Sequence, residues 1–137
     1  MIAFKIPGDP PTVTAQQKGQ NRKTGRYYKP AELRDAEQKY MAYAAQARPS
    51  EPISGPVQLH VVFMFDHHGR HEDGEAKITK PDTDNMIKLL KDCMTRCGFW
   101  KDDAQVYDER VLKVWDEMPG IQVLIQEVRW LTHEQAR

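Results

Sequence analysis

The segment Lys80-Pro81-Asp82-Thr83-Asp84-Asn85-Met86-Ile87-Lys88 sets two carboxylates two residues apart at the entrance to an amphipathic pattern, with a lysine four residues past the second. Residues four apart share a helix face, so Asp84 and Lys88 are neighbours there. Asp82 precedes the regular helix, where extended backbone can turn its side chain toward Asp84. A further acidic pair, Asp102-Asp103, returns on a loop after the helix. Carboxylates from two chain segments suit a hard divalent ion: Mg²⁺ takes oxygen ligands, keeps several waters and rests on a few carboxylates together with substrate phosphate oxygens. Such an ion polarises a phosphodiester and steadies the leaving oxygen, and a lysine beside it offsets charge in the transition state. The same residues also have a plainer reading, in which Asp82 or Thr83 only caps the helix and Asp84 with Lys88 is a surface ion pair.

Other groups are weaker candidates. Cys93 and Cys97 stand four apart on the apolar face of the same helical pattern, and His67, His68 and His71 lie in a polar loop. Zinc would need these thiols and rings to converge, so we read reduced core thiols and a solvated loop instead. Phe99 and Trp100 read as core anchors before base-stacking platforms.

The elements that position these residues follow from periodicity. Met1 to Ile6 alternates and ends at Pro7-Gly8-Asp9-Pro10-Pro11, a strand closed by a turn-rich loop. Residues 12–29 are polar and basic and read as an exposed loop or β-ribbon ending at Tyr27-Tyr28. Pro30 starts a helix that runs to about Arg48 through Leu33, Ala36, Tyr40 and Ala44. Val57 to Phe65 alternates cleanly as a strand with one buried face. Residues 66–80 lack periodicity and predict a flexible loop. Met86, Ile87, Leu89, Leu90, Cys93, Met94 and Cys97 give a second helix stopped by Gly98. Two strands, about Val106 to Trp115 and Ile121 to Trp130, follow, with Pro119-Gly120 as the hairpin turn between them. The order predicts an α+β fold: a small mixed or antiparallel sheet of about four strands with two main helices packed against it.

At 137 residues the chain is the size of one domain, 1–137, with a single core and no need of disulfides. No apolar run reaches the roughly 18 residues of a membrane helix, and the first residues lack the charged and apolar regions of a signal peptide, so a cytoplasmic protein is expected. The formal net charge is zero, yet residues 1–48 hold nine Lys/Arg against four acids, while residues 82–137 hold eight against eleven. A basic segment paired with an acidic one suits a protein that grips a polyanion in one place and gathers carboxylates in another.

The string Lys80-Pro81-Asp82-Thr83-Asp84-Asn85, then Lys88 and Asp92, then Gly98-Phe99-Trp100-Lys101-Asp102-Asp103-Ala104-Gln105-Val106, resembles the signature of the RusA-type Holliday junction resolvases of bacteria and their prophages. The resemblance implies a Mg²⁺-dependent endonuclease, with Mn²⁺ a possible substitute. It implies a homodimer that makes paired symmetric nicks across a four-way DNA junction. Carried over by position, the essential aspartates fall on Asp82, Asp84 and Asp103 and the essential lysine on Lys88, with Asp102 and Asp92 as accessory acids. The basic surface of the family would include Lys77 and Lys80. To these we add Lys18, Arg22, Lys23 and Arg26 of the 12–29 loop as expected DNA contacts, which is an inference from charge alone. The His67 to Glu75 insert departs from the family pattern. No membrane partner and no small-molecule cofactor beyond the metal are implied. Two other readings stay open: a non-catalytic DNA-binding or structural module, and a metal-dependent nuclease acting on other branched DNA.

Overall fold

The computed structural model describes residues 1–13, 19–20 and 23–128. Strand β1 (Ile2–Pro7) is followed by a short ribbon of β2 (Gly19–Gln20) and β3 (Tyr27–Tyr28), then α1 (Ala31–Ala47) and β4 (Val57–Asp66). Helix α2 (Thr83–Cys97), a 3-10 turn at Asp103–Gln105, β5 (Val106–Asp116) and β6 (Gly120–Glu127) complete the order. The main sheet is mixed, in the order β1-β6-β4-β5. The expected α+β architecture, four strands and two helices, is present, and within the 12–29 segment the two-residue strands β2 and β3 pair antiparallel, Gly19 opposite Tyr28 and Gln20 opposite Tyr27.

The terminal hairpin is not. β5 and β6 never pair, because β4 lies between them: β5 runs parallel to β4 along one edge, and β6 runs antiparallel to it along the other. A helical crossover through α2 is the kind of link that parallel strands require. β4, the most buried strand, takes the central place, with Met64 and Phe65 both covered in addition to the inward Val57, Leu59, Val61 and Phe63. β5 carries Asp108, Glu109, Arg110 and Lys113, which suit an edge. The short 117–119 link therefore crosses the end of β4. Gly120 is needed where it lands, since a Cβ there would stand 2.9 Å from the Ile6 carbonyl oxygen.

One sheet face and the two helices enclose the core. α1 contributes Leu33, Ala36, Tyr40 and Ala44, and α2 contributes Met86, Ile87, Leu89, Leu90, Cys93, Met94 and Cys97, an unbroken apolar stripe at helical spacing. Ile6, Ile121, Val123 and Ile125 meet them from the sheet. Cys93 and Cys97 are buried free thiols, and burial pushes the Cys93 thiol up to about 11. Gly98 ends α2 in the left-handed region, φ 88°, where glycine adds no Cβ clash. Phe99 and Trp100 anchor the following turn in the core, and the Trp100 indole N–H donates to Thr95 Oγ1 at 2.7 Å. Among the described residues no helix is long and apolar enough to cross a membrane.

Candidate active site

Asp82 sits at the N-cap of α2, yet its side chain makes no capping bond. Helix N-termini favour a nearby negative charge, and Asp82 and Asp84 both occupy that position. Among the described residues neither carboxylate has a protein hydrogen bond or ion pair, and both are exposed. The plain capping reading of Asp82 is therefore not realised. Nor is the Asp84 surface pair: Lys88 faces Asp92 instead, 4.0 Å from Nζ to Oδ2, both about half exposed.

The turn that delivers Asp82 is fixed from β5. The Lys113 ammonium donates to the carbonyls of Thr79 and Pro81, each at 2.7 Å, and the Lys77 N–H donates to the Lys113 carbonyl at 3.0 Å. α2 is tied to the same strand by Lys91 and Glu109 at 2.8 Å. The role of Lys113 had no signal in the sequence, because it depends on β5 being the strand beside the turn.

The second acidic pair divides by task. The Asp102 carboxylate accepts the Ala104 N–H at 2.8 Å and caps the 3-10 turn, in a capping box closed by Gln105. Gln105 is a hub: its amide nitrogen donates to the carbonyls of Ile53 and Gly55, and its amide oxygen accepts the N–H groups of Lys101 and Asp102. The Asp-x-x-Gln spacing of 102–105 is the sequence signal that could have revealed this box. The carboxylate of Asp103, a half-buried residue, has no hydrogen bond or ion pair among the described residues.

Asp103 shares an open groove with Asp92, Thr95, Arg96, Lys101 and Asp102, not with Asp82 and Asp84. The rise of α2 accounts for this: eight residues separate Asp84 from Asp92, about 12 Å along the helix. Among the described residues no group of three or more His, Cys, Asp or Glu side chains stands close enough to hold one ion. A single chain thus offers Asp82 and Asp84 as a carboxylate pair and Asp103 apart from them. The pair fits a hard cation such as Mg²⁺, which is commonly bound by one or two carboxylates with waters and substrate phosphates completing its shell.

The basic candidates differ in exposure. Lys80, Lys23 and Arg26 are exposed, while Lys18 and Arg22 lie outside the described residues. Lys77 is only 9% exposed, the sole buried charged side chain among the described residues. Its ammonium lies 4.4 Å from the Trp115 ring centroid and 5.1 Å from that of Phe65, and it donates to Thr79 Oγ1 at 2.5 Å. Burial first, and the Lys113 charge second, hold this ammonium below the ordinary lysine range. Its charge is spent on packing rather than presented to a polyanion.

The 66–80 segment is irregular, as expected, but densely bonded. His67 Nε2 meets Asp73 Oδ1 at 2.9 Å, and Asp73 also accepts the Glu117 N–H. The His71 ring stacks on Trp115 with centroids 4.3 Å apart and holds Glu75 through Nδ1 at 2.5 Å.

The sequence profile described as Endodeoxyribonuclease RusA matches residues 7–126. A Bacillus subtilis (strain 168) protein described as uncharacterized protein YqaN is 34% identical over 110 residues, 72% of this chain and 77% of the relative. The crossover junction endodeoxyribonuclease RusA of Lactococcus phage r1t is 34% identical over 73 residues, 53% of this chain and 56% of the phage protein. The Escherichia coli (strain K12) protein of the same description is 54% identical over 33 residues, 24% of this chain and 28% of its own length. The matched stretches thus span about half of the phage nuclease and about a quarter of the E. coli one. With a profile match across most of its length, carrying the aspartates of both segments, the chain belongs to the RusA endodeoxyribonuclease family.

Proposed function

We propose that this protein is a metal-dependent endonuclease that resolves four-way DNA junctions by paired symmetric nicks, acting as a homodimer in the cytoplasm. One observation carries the reading: among the described residues the carboxylates of Asp82, Asp84 and Asp103 have no hydrogen-bond or ion-pair partner, whereas Asp102 is engaged by a cap and Asp92 by Lys88. Unpaired acids near a helix N-terminus are free to take oxygen-loving cations.

Asp82 and Asp84 would hold Mg²⁺ or Mn²⁺, which when bound polarises the phosphodiester and eases charge onto the leaving oxygen. Lys113 holds the turn that aims Asp82. Lys88, one turn beyond Asp84, is half exposed and only 4.0 Å from Asp92, so it would exchange that weak surface contact for a phosphate oxygen and offset its growing charge. Asp103 provides a third carboxylate along the strand's path. Lys80, Lys23 and Arg26 supply phosphate contacts, so binding rests on backbone charge and junction shape. Two cuts in opposing strands call for two equivalent sites, which a C2 dimer supplies.

The test is an end-labelled synthetic four-way junction incubated with the protein, with and without Mg²⁺, and every strand read on a denaturing gel. Symmetric nicks that need the metal are expected, and Asp82→Asn should lose them while binding the junction as well or better, because a negative charge beside the DNA is removed. Retarded but uncut junction under every metal would establish the non-catalytic binding module. Preference for a flap over an intact junction would move the substrate to other branched DNA.

A further inference from the structure

Two adjacent residues just before the site are exposed the wrong way round. Lys77 is 9% exposed and Ile78 is 91% exposed. In extended chain neighbouring side chains point to opposite faces, so a shift of one residue would put the isoleucine against Phe65 and Trp115 and the ammonium in water. The chain is locked against that shift. Gly74 N–H donates to the Trp115 carbonyl, Trp115 N–H to that of Glu75, and Lys77 N–H to that of Lys113, while Ala76 pairs with Val114. On the other side of Ile78, Thr79 is held through its carbonyl by Lys113 and through its hydroxyl by Lys77. The aliphatic side chain therefore stands out from a braced ledge rather than from a loose loop. Single exposed apolar residues are common on protein surfaces, but an inverted register secured on both sides is not explained by that.

We propose that Ile78 is a wedge that enters the base stack of branched DNA at the point of strand exchange. It rests on the junction-resolvase reading above. Proteins that kink or open DNA do so with Ile, Leu, Phe, Met or Pro side chains pushed between base steps, with cations gripping the flanking phosphates. Ile78 has the apolar tip and the rigid support, exposed Lys80 is two residues on, and Asp82 follows four residues on, within about 15 Å of chain. Unstacking at a crossover is less costly than in a continuous duplex because at most one strand runs unbroken through each stack there, so the wedge selects the branch point and sets the phosphate beside Asp82 and Asp84.

The experiment uses the full chain and a four-way junction carrying a stacking-sensitive fluorescent adenine analogue at the crossover. Asp82→Asn keeps the DNA uncut. That protein should raise the fluorescence on binding. Adding Ile78→Ala should remove most of the rise with little change in affinity, and adding Ile78→Met should keep it. With Asp82 intact, Ile78→Ala should cut the saturated junction roughly tenfold more slowly. Ile78 is solvent-exposed, so the alanine variant is expected to keep the melting temperature of the parent. An unchanged fluorescence rise in the alanine variant, with junction binding intact, overturns the wedge alone. Failure of the Asp82→Asn protein to bind a four-way junction at any salt overturns the resolvase reading and the wedge with it.

Discussion

Asp102 and Asp103 are adjacent, chemically identical and assigned opposite work, so exchanging each in turn separates structure from chemistry. Asp102→Ala removes the acceptor of the Ala104 N–H at 2.8 Å and one half of the capping box. Loss of an N-cap of this kind costs about 1 kcal/mol, and in a chain of this size that lowers the melting temperature by roughly 4 °C. Gln105 keeps its bonds to Ile53 and Gly55, so the turn should loosen without detaching. Cutting by Asp102→Ala should stay within about threefold of the parent once measured well below the transition. Asp103→Asn gives up no hydrogen bond or ion pair made among the described residues, and its stability should change by less than ~0.5 kcal/mol. Its cutting rate should fall by about a hundredfold or more, with junction affinity kept. Thermal unfolding and single-turnover cutting of the two variants, side by side with the parent, decide it. An Asp102→Ala protein that is as stable as the parent and inactive, or an Asp103→Asn protein that cuts normally, would refute the division of roles.

Two other outcomes follow from side-chain placement. Lys80→Ala should weaken junction binding and lower the slope of log affinity against log salt by about one, the signature of one lost phosphate contact; Lys77→Ala should leave that slope unchanged and instead destabilise the fold, because its ammonium packs on Trp115 and Phe65. Glu37 is mostly buried, which by itself raises its pKa, but hydrogen bonds from Lys29 and Arg96 outweigh burial and hold the carboxyl below its ordinary 4.5. A lowered folded pKa contributes stability above the unfolded value and loses it as pH falls through the folded one, so Glu37→Gln should cost about 1 kcal/mol at neutral pH, small because both partner cations are half exposed, and the difference from the parent should vanish in urea titrations at strongly acid pH.

What the sequence reveals here depends on the range of the interactions that decide each feature. α2 and β4 are legible from periodicity, because an apolar stripe at helical spacing or a strict alternation needs only one partner surface and any surface will do. The stop at Gly98 and the capping box of Asp102 and Gln105 are legible for the same reason, since their partners lie within five residues. Strand order is not. A three-residue link between β5 and β6 reads as a hairpin, and only the order of the assembled sheet, in which β4 is the most buried strand, places β4 between them.

The candidate site divides along the same line. The acids and Lys88 are legible as types at a spacing, yet which of them are engaged is a tertiary fact: Asp102 is taken by a cap two residues away, Lys88 meets Asp92, and Asp103 falls in the groove of Asp92 rather than with Asp82 and Asp84 because the 3-10 turn returns against the later part of α2. Lys77 and Ile78 show the limit most clearly. Alternation says that the two face opposite ways but not which faces in, and by composition the isoleucine belongs inside. The choice is made by Trp115, whose ring takes the ammonium, and by Lys113, whose backbone and side chain fix the register from another strand. Both lie more than thirty residues downstream. A local pattern is overruled there by two distant residues, at the step that leads into Asp82, and that is where a wedge has to be built if the same ledge is to hold both the DNA and the carboxylates.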